Sequence, residues 1–178
     1  MNRDLTTLGL LLASASCLPA QEEVYRDPGM KTIVQVAIVC KDIEATSKRW
    51  ANLLGVAPPK ITLTRPGREV KVTYRGRSSD GRVKLAFIRM GQVVLELMEP
   101  LGGDTSWKEF LDKHGEGVQH IGFQVTNLEK AAATLKSLGI AELHRGRYDS
   151  DNGTYVYFDS QPSLGVTVEL LHSDPKGR

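Results

Sequence analysis

The chain of 178 residues has little cysteine and little net charge, with two cysteines and a formal charge of +2. Cys17 lies in the N-terminal segment, so removal of that segment would leave Cys40 alone and exclude an intrachain disulfide. The small net charge gives no reason to expect nucleic acid or an anionic membrane as a partner. Beyond the N-terminus no apolar run is long enough to cross a bilayer, which predicts no membrane span.

The first twenty residues have the pattern of an export signal. A short apolar core at 8–13 is followed by small residues, and cleavage is predicted after Ala20. The segment carries little positive charge because Asp4 offsets Arg3, so a disordered N-terminus on a cytoplasmic protein is the alternative. We predict a signal peptide over 1–20, a tether over 21–31 and export to the periplasm or the medium.

The rest of the chain contains an internal repeat. An apolar stretch at 35–39 resembles another at 120–125, and each is followed by a polar break and a helical pattern. The first of these helices is predicted to begin after Asp42 and to end at Gly55. The apolar segments at 93–98 and 166–171 also resemble each other, and each contains a single glutamate.

This repeat predicts the fold class. A strand, a helix and three further strands occur twice, which indicates an α+β fold of two tandem βαβββ modules. The modules are assigned to 32–99 and 118–173, and a linker with a short helix is assigned to 100–117. Their curved sheets are predicted to surround a concave metal-binding cleft, with the helices outside. The segments 75–81 and 145–153 are predicted to be loops, because they are rich in glycine and polar residues.

The equivalent positions of the two modules carry the candidate metal ligands. Glu96 and Glu169 lie within apolar strands, where a carboxylate is costly unless it is paired or bound to a cation. Gln35 and His120 occupy the first strand of each module. If a pseudo-two-fold axis relates the modules, these four side chains converge. Two carboxylates, one imidazole and one amide oxygen suit Mg²⁺, Mn²⁺, Co²⁺, Ni²⁺ or Zn²⁺.

Each of these residues, taken alone, also fits a structural role. A histidine in an apolar strand is often a core residue, and a strand glutamate often faces solvent. Their common register within a repeat favours one shared site. His114, His144 and His172 lack such partners and are predicted to lie on the surface. The positions predicted to line the cleft are Phe87, Val94, Met98, Gln124, Tyr155, Tyr157 and Thr167.

Three segments carry a resemblance to a known family. The segments 95–102 and 114–120, with 37–44, are similar to the vicinal oxygen chelate superfamily, and most of all to its methylmalonyl-CoA epimerase-like branch. The resemblance covers about residues 32–172. Transferred by position, the family's metal ligands fall on Gln35, Glu96, His120 and Glu169. Gln35 departs from the epimerase branch, which usually has His there, and the resulting set resembles some glyoxalase I enzymes.

The resemblance implies a function and its partners. It implies an isomerase or lyase with one divalent metal ion, acting through a metal-stabilised enolate on a small molecule with two neighbouring oxygens. By family analogy Glu169 takes the proton, and Glu96, on the other side of the pseudo-axis, is expected to return it to the opposite face. The alternatives are an enzyme like glyoxalase I (lactoylglutathione lyase) and a non-catalytic binding protein of the bleomycin-resistance type. The resemblance also implies a homodimer.

Overall fold

The computed structural model describes residues 27–175, and the predicted signal peptide lies outside them. Ten strands and four helices occur in this part of the chain. The strands are β1 (Thr32–Val39), β2 (Ile61–Leu63), β3 (Thr73–Tyr74), β4 (Arg77–Ser78), β5 (Val83–Met90), β6 (Val93–Pro100), β7 (Gly117–Gln124), β8 (Glu142–Arg147), β9 (Gly153–Phe158) and β10 (Thr167–Ser173). The helices are α1 (Ile43–Leu54), α2 (Ser106–His114), α3 (Leu128–Ser137) and α4 (Gln161–Leu164).

All ten strands form one curved, unclosed sheet. Its order is β2-β5-β6-β1-β7-β10-β9-β8-β3-β4. At the centre β1 and β7 are antiparallel, while β6 runs parallel to β1 and β10 runs parallel to β7. From this centre outward, the strand order is β1-β6-β5-β2 on one side and β7-β10-β9-β8 on the other. With β3 and β4 set aside, each half therefore places its strands in the order first, fourth, third and second. The predicted α+β fold is confirmed, and the symmetry places the first and last strands of both halves side by side.

The helices pack against the sheet through short apolar rows. In α1, Asp42 caps the N-terminus by accepting a hydrogen bond from the backbone N–H of Ala45, and Gly55 ends the helix in the left-handed conformation. Ile43 packs with Cys40, Ala86 and Leu97. The buried face of α3 packs in the same way on β9 and β10. Burial of these rows is the main stabilisation expected of helices this short.

One hairpin departs from the repeat. The strands β3 and β4 follow β2 in sequence, yet β3 pairs with β8 near the opposite end of the sheet. The prediction of a plain loop over 75–81 was wrong at β4. The loop predicted over 145–153 was wrong at both ends, since its first three residues belong to β8 and Gly153 belongs to β9. Strands of two residues have no hydrophobic periodicity, so composition could not reveal them.

No helix in the described part of the chain combines the length and the hydropathy needed to span a bilayer.

Candidate metal centre

The four predicted ligands lie on the four central strands and meet at one point. Gln35 is on β1, Glu96 on β6, His120 on β7 and Glu169 on β10. Gln35 Nε2 lies 2.5 Å from Glu96 Oε2, 3.2 Å from His120 Nε2 and 3.4 Å from Glu169 Oε2. His120 Nε2 lies 3.3 Å from Glu96 Oε2 and 3.2 Å from Glu169 Oε2. One imidazole nitrogen thus lies within 3.3 Å of both carboxylates, and Gln35, Glu96 and Glu169 line the cleft beside it.

This cluster is buried and contains two carboxyl groups and one imidazole. Glu96 is 5%, Glu169 2% and His120 0% exposed. Gln35 Nε2 donates to both carboxylates, and within residues 27–175 neither carboxylate has an ion pair with a lysine or an arginine. Burial raises the pKa of Glu96. Burial alone would lower the pKa of His120, but the carboxylates of Glu169 and Glu96 outweigh it and raise that pKa to about 9.

The donor set fits a divalent metal ion. Two buried carboxylates beside one imidazole are costly without a compensating cation, and a divalent ion held by these donors would supply that charge. Ligand atoms about 2.0–2.2 Å from an ion stand about 3 Å from their neighbours, close to the spacings around His120 Nε2. Rotation of the Gln35 amide exchanges its nitrogen for its oxygen, which completes a set of hard donors.

A second group of carboxylates lies on the surface and needs no ion. It consists of Asp42, Glu44 and Glu99 near the start of α1. Lys84 Nζ lies 3.2 Å from Glu44 Oε1 and 3.1 Å from Glu99 Oε1. Glu99 also accepts a hydrogen bond from the backbone N–H of Ile43 at 2.9 Å. These contacts account for the group.

A bulge in β7 adds a residue that the sequence did not reveal. Ala37 pairs with His120 and Ile38 with Val118, so Gln119 is the extra residue of the bulge. Its Oε1 lies 2.6 Å from His120 Nδ1. Because an amide oxygen only accepts, Nδ1 is the donor, and Nε2 faces Gln35 and the two carboxylates. Gln119 is 1% exposed, so this contact is shielded from water.

Substitution of Gln119 is expected to weaken metal binding without unfolding the protein. Gln119→Leu removes the acceptor, and loss of such an outer partner typically lowers metal affinity by about 10–100-fold. Competition with a chromophoric chelator measures the affinity. In the Zn²⁺-loaded protein, the slowly exchanging Nδ1–H proton resonance of His120 should disappear. Gln119→Glu retains an acceptor and should preserve both the metal affinity and the Nδ1–H resonance. Unchanged metal affinity in Gln119→Leu would contradict the role of Gln119 as the partner of His120.

His144 is not on the surface, contrary to the prediction. It is 1% exposed, and its ring centroid lies 4.5 Å from that of Trp107 and 5.3 Å from that of Tyr157. Tyr157 in turn lies 4.8 Å from the His120 ring. The prediction was wrong because β3 covers β8, pairing Tyr74 with His144, and this long-range pairing leaves no local sequence signal. His114 is exposed as predicted, and His172 is partly buried.

Burial of His144 makes stability depend on pH. Burial, with a smaller contribution from His120, lowers the pKa of His144 to about 3. Below its ordinary value near 6.5 the unfolded chain binds a proton that the folded chain excludes, so the free energy of unfolding falls as the pH decreases toward 3. The slope from this group approaches about 1.4 kcal/mol per pH unit.

Urea unfolding of the wild type and two variants at pH 7, 6 and 5 tests this dependence. His144→Gln should show a shallower loss of stability with decreasing pH than the wild type. His114→Gln, which alters an exposed histidine, should keep the wild-type slope. Equal slopes in all three proteins would contradict the expected result.

The cleft above the four ligands has a volume of about 540 Å³. Six of the seven positions predicted to line it do so. The exception is Thr167, the first residue of β10. It lines a separate cavity with Gln119 and with Ser106 of α2, so its prediction as a cleft residue was wrong. Trp107 of α2 also lines the cleft and was not predicted to do so.

Comparison with known proteins shows which superfamily the chain belongs to. The family model for the Glyoxalase/Bleomycin resistance protein/Dioxygenase superfamily matches residues 34–158. The chain belongs to this superfamily. An uncharacterized Bacillus subtilis protein, YqjC, is 36% identical over 149 residues, covering 83% of this chain and 95% of YqjC. The human mitochondrial methylmalonyl-CoA epimerase is 29% identical over 160 residues, covering 89% of this chain and 83% of the enzyme.

Solved structures of superfamily members share the fold. The methylmalonyl-CoA epimerase of Mycobacterium tuberculosis has a TM-score of 0.59 at 19% identity, over 86% of this chain and 95% of the other. A variant of the Streptomyces coelicolor epimerase, solved with 2-nitronate-propionyl-CoA, has a TM-score of 0.57 at 25% identity, over 80% and 97%. The family-model match over 34–158 confirms the predicted resemblance to the superfamily.

Proposed function

We propose that this protein is a divalent-metal-dependent isomerase that moves a proton at a carbon next to a carbonyl group, as an epimerase does. One observation carries the proposal: Glu96, His120 and Glu169, with Gln35, meet within 3.4 Å contacts in a buried cleft. In the proposed site these four residues hold the ion. A bound divalent cation supplies Lewis acidity, which makes the carbon acid easier to ionise.

Epimerisation requires two groups for proton transfer, and in the proposed mechanism these are the two carboxylates. The Oε2 atoms of Glu96 and Glu169 lie 3.3 and 3.2 Å from His120 Nε2, so both reach the same point of the cleft. In the proposed mechanism Glu169 removes the proton and Glu96 returns one to the opposite face of the planar enolate. Proton transfer by a positioned carboxylate typically contributes about 10²–10⁴ in rate. The low exposure of both carboxylates keeps water from competing for the proton.

A lyase of the glyoxalase I type is the second candidate. The observation that favours it is the amide of Gln35 beside His120 at 3.2 Å, where the epimerase branch usually has a second imidazole. A hemithioacetal substrate distinguishes the two, because the lyase converts it to a thioester while an epimerase leaves it unchanged. The non-catalytic alternative requires no proton transfer at all. The proposed homodimer and the proposed export are independent of this choice.

Deuterium exchange tests the proposed function. Metal-loaded protein in D₂O should incorporate deuterium at the α-carbon of 2-substituted carbonyl acids or thioesters, as followed by proton NMR. Protein treated with a chelator and dialysed should not catalyse the exchange, and reloading should restore it. Binding of such compounds without exchange, under every metal tested, would favour the binding-protein alternative.

A further inference from the structure

We infer that the cleft takes a compact carbonyl acid with an apolar body, and not a substrate with a nucleotide tail such as a coenzyme A thioester. This inference rests on the proposed function and concerns the substrate class of the same site. It distinguishes the chain from relatives such as the Streptomyces coelicolor epimerase, whose structure carries a CoA ligand. Three features of the described residues support it.

The first feature is a segment that crosses the open side of the cleft, here called the strap and comprising residues 64–82. It leaves β2 and returns to β5, which are neighbours at one end of the sheet, but its hairpin pairs with β8 near the other end. The backbone N–H of Arg147 donates to the Val70 carbonyl, and that of Arg75 donates to the Leu143 carbonyl, both at 2.8 Å. Val70 and Val72 are 3% and 2% exposed and line the cleft. The strap thus covers the cleft with apolar side chains.

The second feature is a polar clasp between the strap and the 145–153 segment at the cleft rim. The backbone N–H of Arg65 donates to Asp149 Oδ2 at 3.0 Å. The guanidinium Nη1 of Arg65 donates to the Asp149 carbonyl at 3.2 Å and to Asp151 Oδ2 at 2.8 Å. A tail leaving the cleft at this side would have to break these contacts, whereas a compact ligand would not.

The third feature is the charge of the lining. Among the described residues that line the cleft, the cations are Arg65 and Arg147. Arg65 is bonded to Asp151, and Arg147 Nη2 donates to Asp174 Oδ2 at 2.5 Å. Phosphate groups are recognised by cations and backbone N–H groups that are available to them. Both guanidinium groups are already hydrogen-bonded to carboxylates of this chain. They are therefore poorly available to the phosphate groups of a nucleotide.

The interior of the cleft fits an apolar group instead. Its volume of about 540 Å³ is within the ordinary range for sites that enclose small molecules. The apolar side chains of its wall include Val70, Val72, Val83, Leu85, Met98 and Trp107. An aromatic or branched aliphatic group of the substrate would pack against this wall. The oxygens of its acid group would then face the four proposed metal ligands.

Calorimetric titration of the metal-loaded protein with three probes tests the inference. Benzohydroxamate and acetohydroxamate present the same oxygen pair and differ in the apolar body, and CoA presents the nucleotide. Benzohydroxamate should bind at least about tenfold more tightly than acetohydroxamate. Val72→Ala should reduce this preference several-fold, and Val118→Ala, the same change at an exposed site, should not. CoA should show no binding at about 1 mM, with or without metal.

The outcomes separate this inference from the proposed function. Tight CoA binding, with or without metal, would overturn the inference. Equal affinity for the two hydroxamates, or binding of neither to protein that holds metal, would also overturn it. Protein that takes up no metal would remove the proposed function, and the inference with it. Metal-dependent exchange on an acyl-CoA, at a kcat/KM well above that of the matching acyl-pantetheine, would retain the proposed function and reject only the inference.

Discussion

Glu169→Gln is expected to lower kcat by about 10²–10⁴-fold while the protein stays folded. The amide has the size and shape of the carboxylate, so the packing around this buried position is retained, but it cannot accept the proton. Turnover is measured as deuterium exchange at saturating metal, and metal content is measured on the same samples. This separates loss of the base from loss of the ion.

A matched variant controls for the change of charge. Glu129→Gln makes the same substitution at a side chain that is 79% exposed on α3, and should exchange at the wild-type rate. Glu169→Gln that retains its metal and wild-type turnover would remove Glu169 from the mechanism. Loss of metal together with turnover would contradict the expected retention of the ion and would show that the Glu169 carboxylate is needed for metal binding.

Gly122→Ala is expected to disrupt the proposed site through a single methyl group. Gly122 pairs with Gln35 on one side and with Glu169 on the other. A Cβ at this position would lie 2.9 Å from Gln35 Cβ, 2.9 Å from Glu169 Oε2 and 3.0 Å from Leu171 Cδ1. These contacts are too close, so the neighbouring ligands must shift. Metal affinity should fall at least about tenfold, and the free energy of unfolding should fall by about 1–3 kcal/mol.

The same strand provides the control for this substitution. At Gly117, the first residue of β7, an added Cβ would meet no heavy atom of the described residues within 4 Å, so Gly117→Ala should bind metal like the wild type. Chelator competition and urea unfolding of the two variants give the affinity and the stability. Wild-type metal affinity in Gly122→Ala would show that Gln35 and Glu169 do not act together at this point.

The central strands and the position of the cluster could be predicted because they follow from local patterns. The repeat sets equivalent residues on equivalent strands, and alternation along each strand sets their common face. Glu96 and Glu169 were conspicuous because a carboxylate inside an apolar strand is costly without a partner. Each strand pattern is local and the repeat is visible in the sequence itself, so one sequence was enough to find them.

The remaining features depend on pairing between distant segments. The strap crosses the cleft because β3 pairs with β8. No local pattern in the sequence indicates that β8 is the partner of β3. The same pairing buries His144, which was predicted to lie on the surface because it has no partner in the repeat. Gln119 contacts His120 because β7 has a bulge opposite β1. The sequences of two apolar strands do not indicate where such a register shift occurs. These are tertiary effects, and they shape the substrate space more than they shape the ligand set.

The metal content of the purified protein tests the central claim most directly. Wild-type protein, reloaded with Co²⁺, Ni²⁺, Zn²⁺, Mn²⁺ or Mg²⁺ and dialysed, should hold roughly one divalent ion per chain by inductively coupled plasma mass spectrometry. Glu96→Ala and His120→Ala should each lose that ion, while Glu44→Ala in the surface carboxylate group should keep it. A wild-type protein that holds none of these ions, or ligand variants that hold as much as the wild type, would contradict the proposed site.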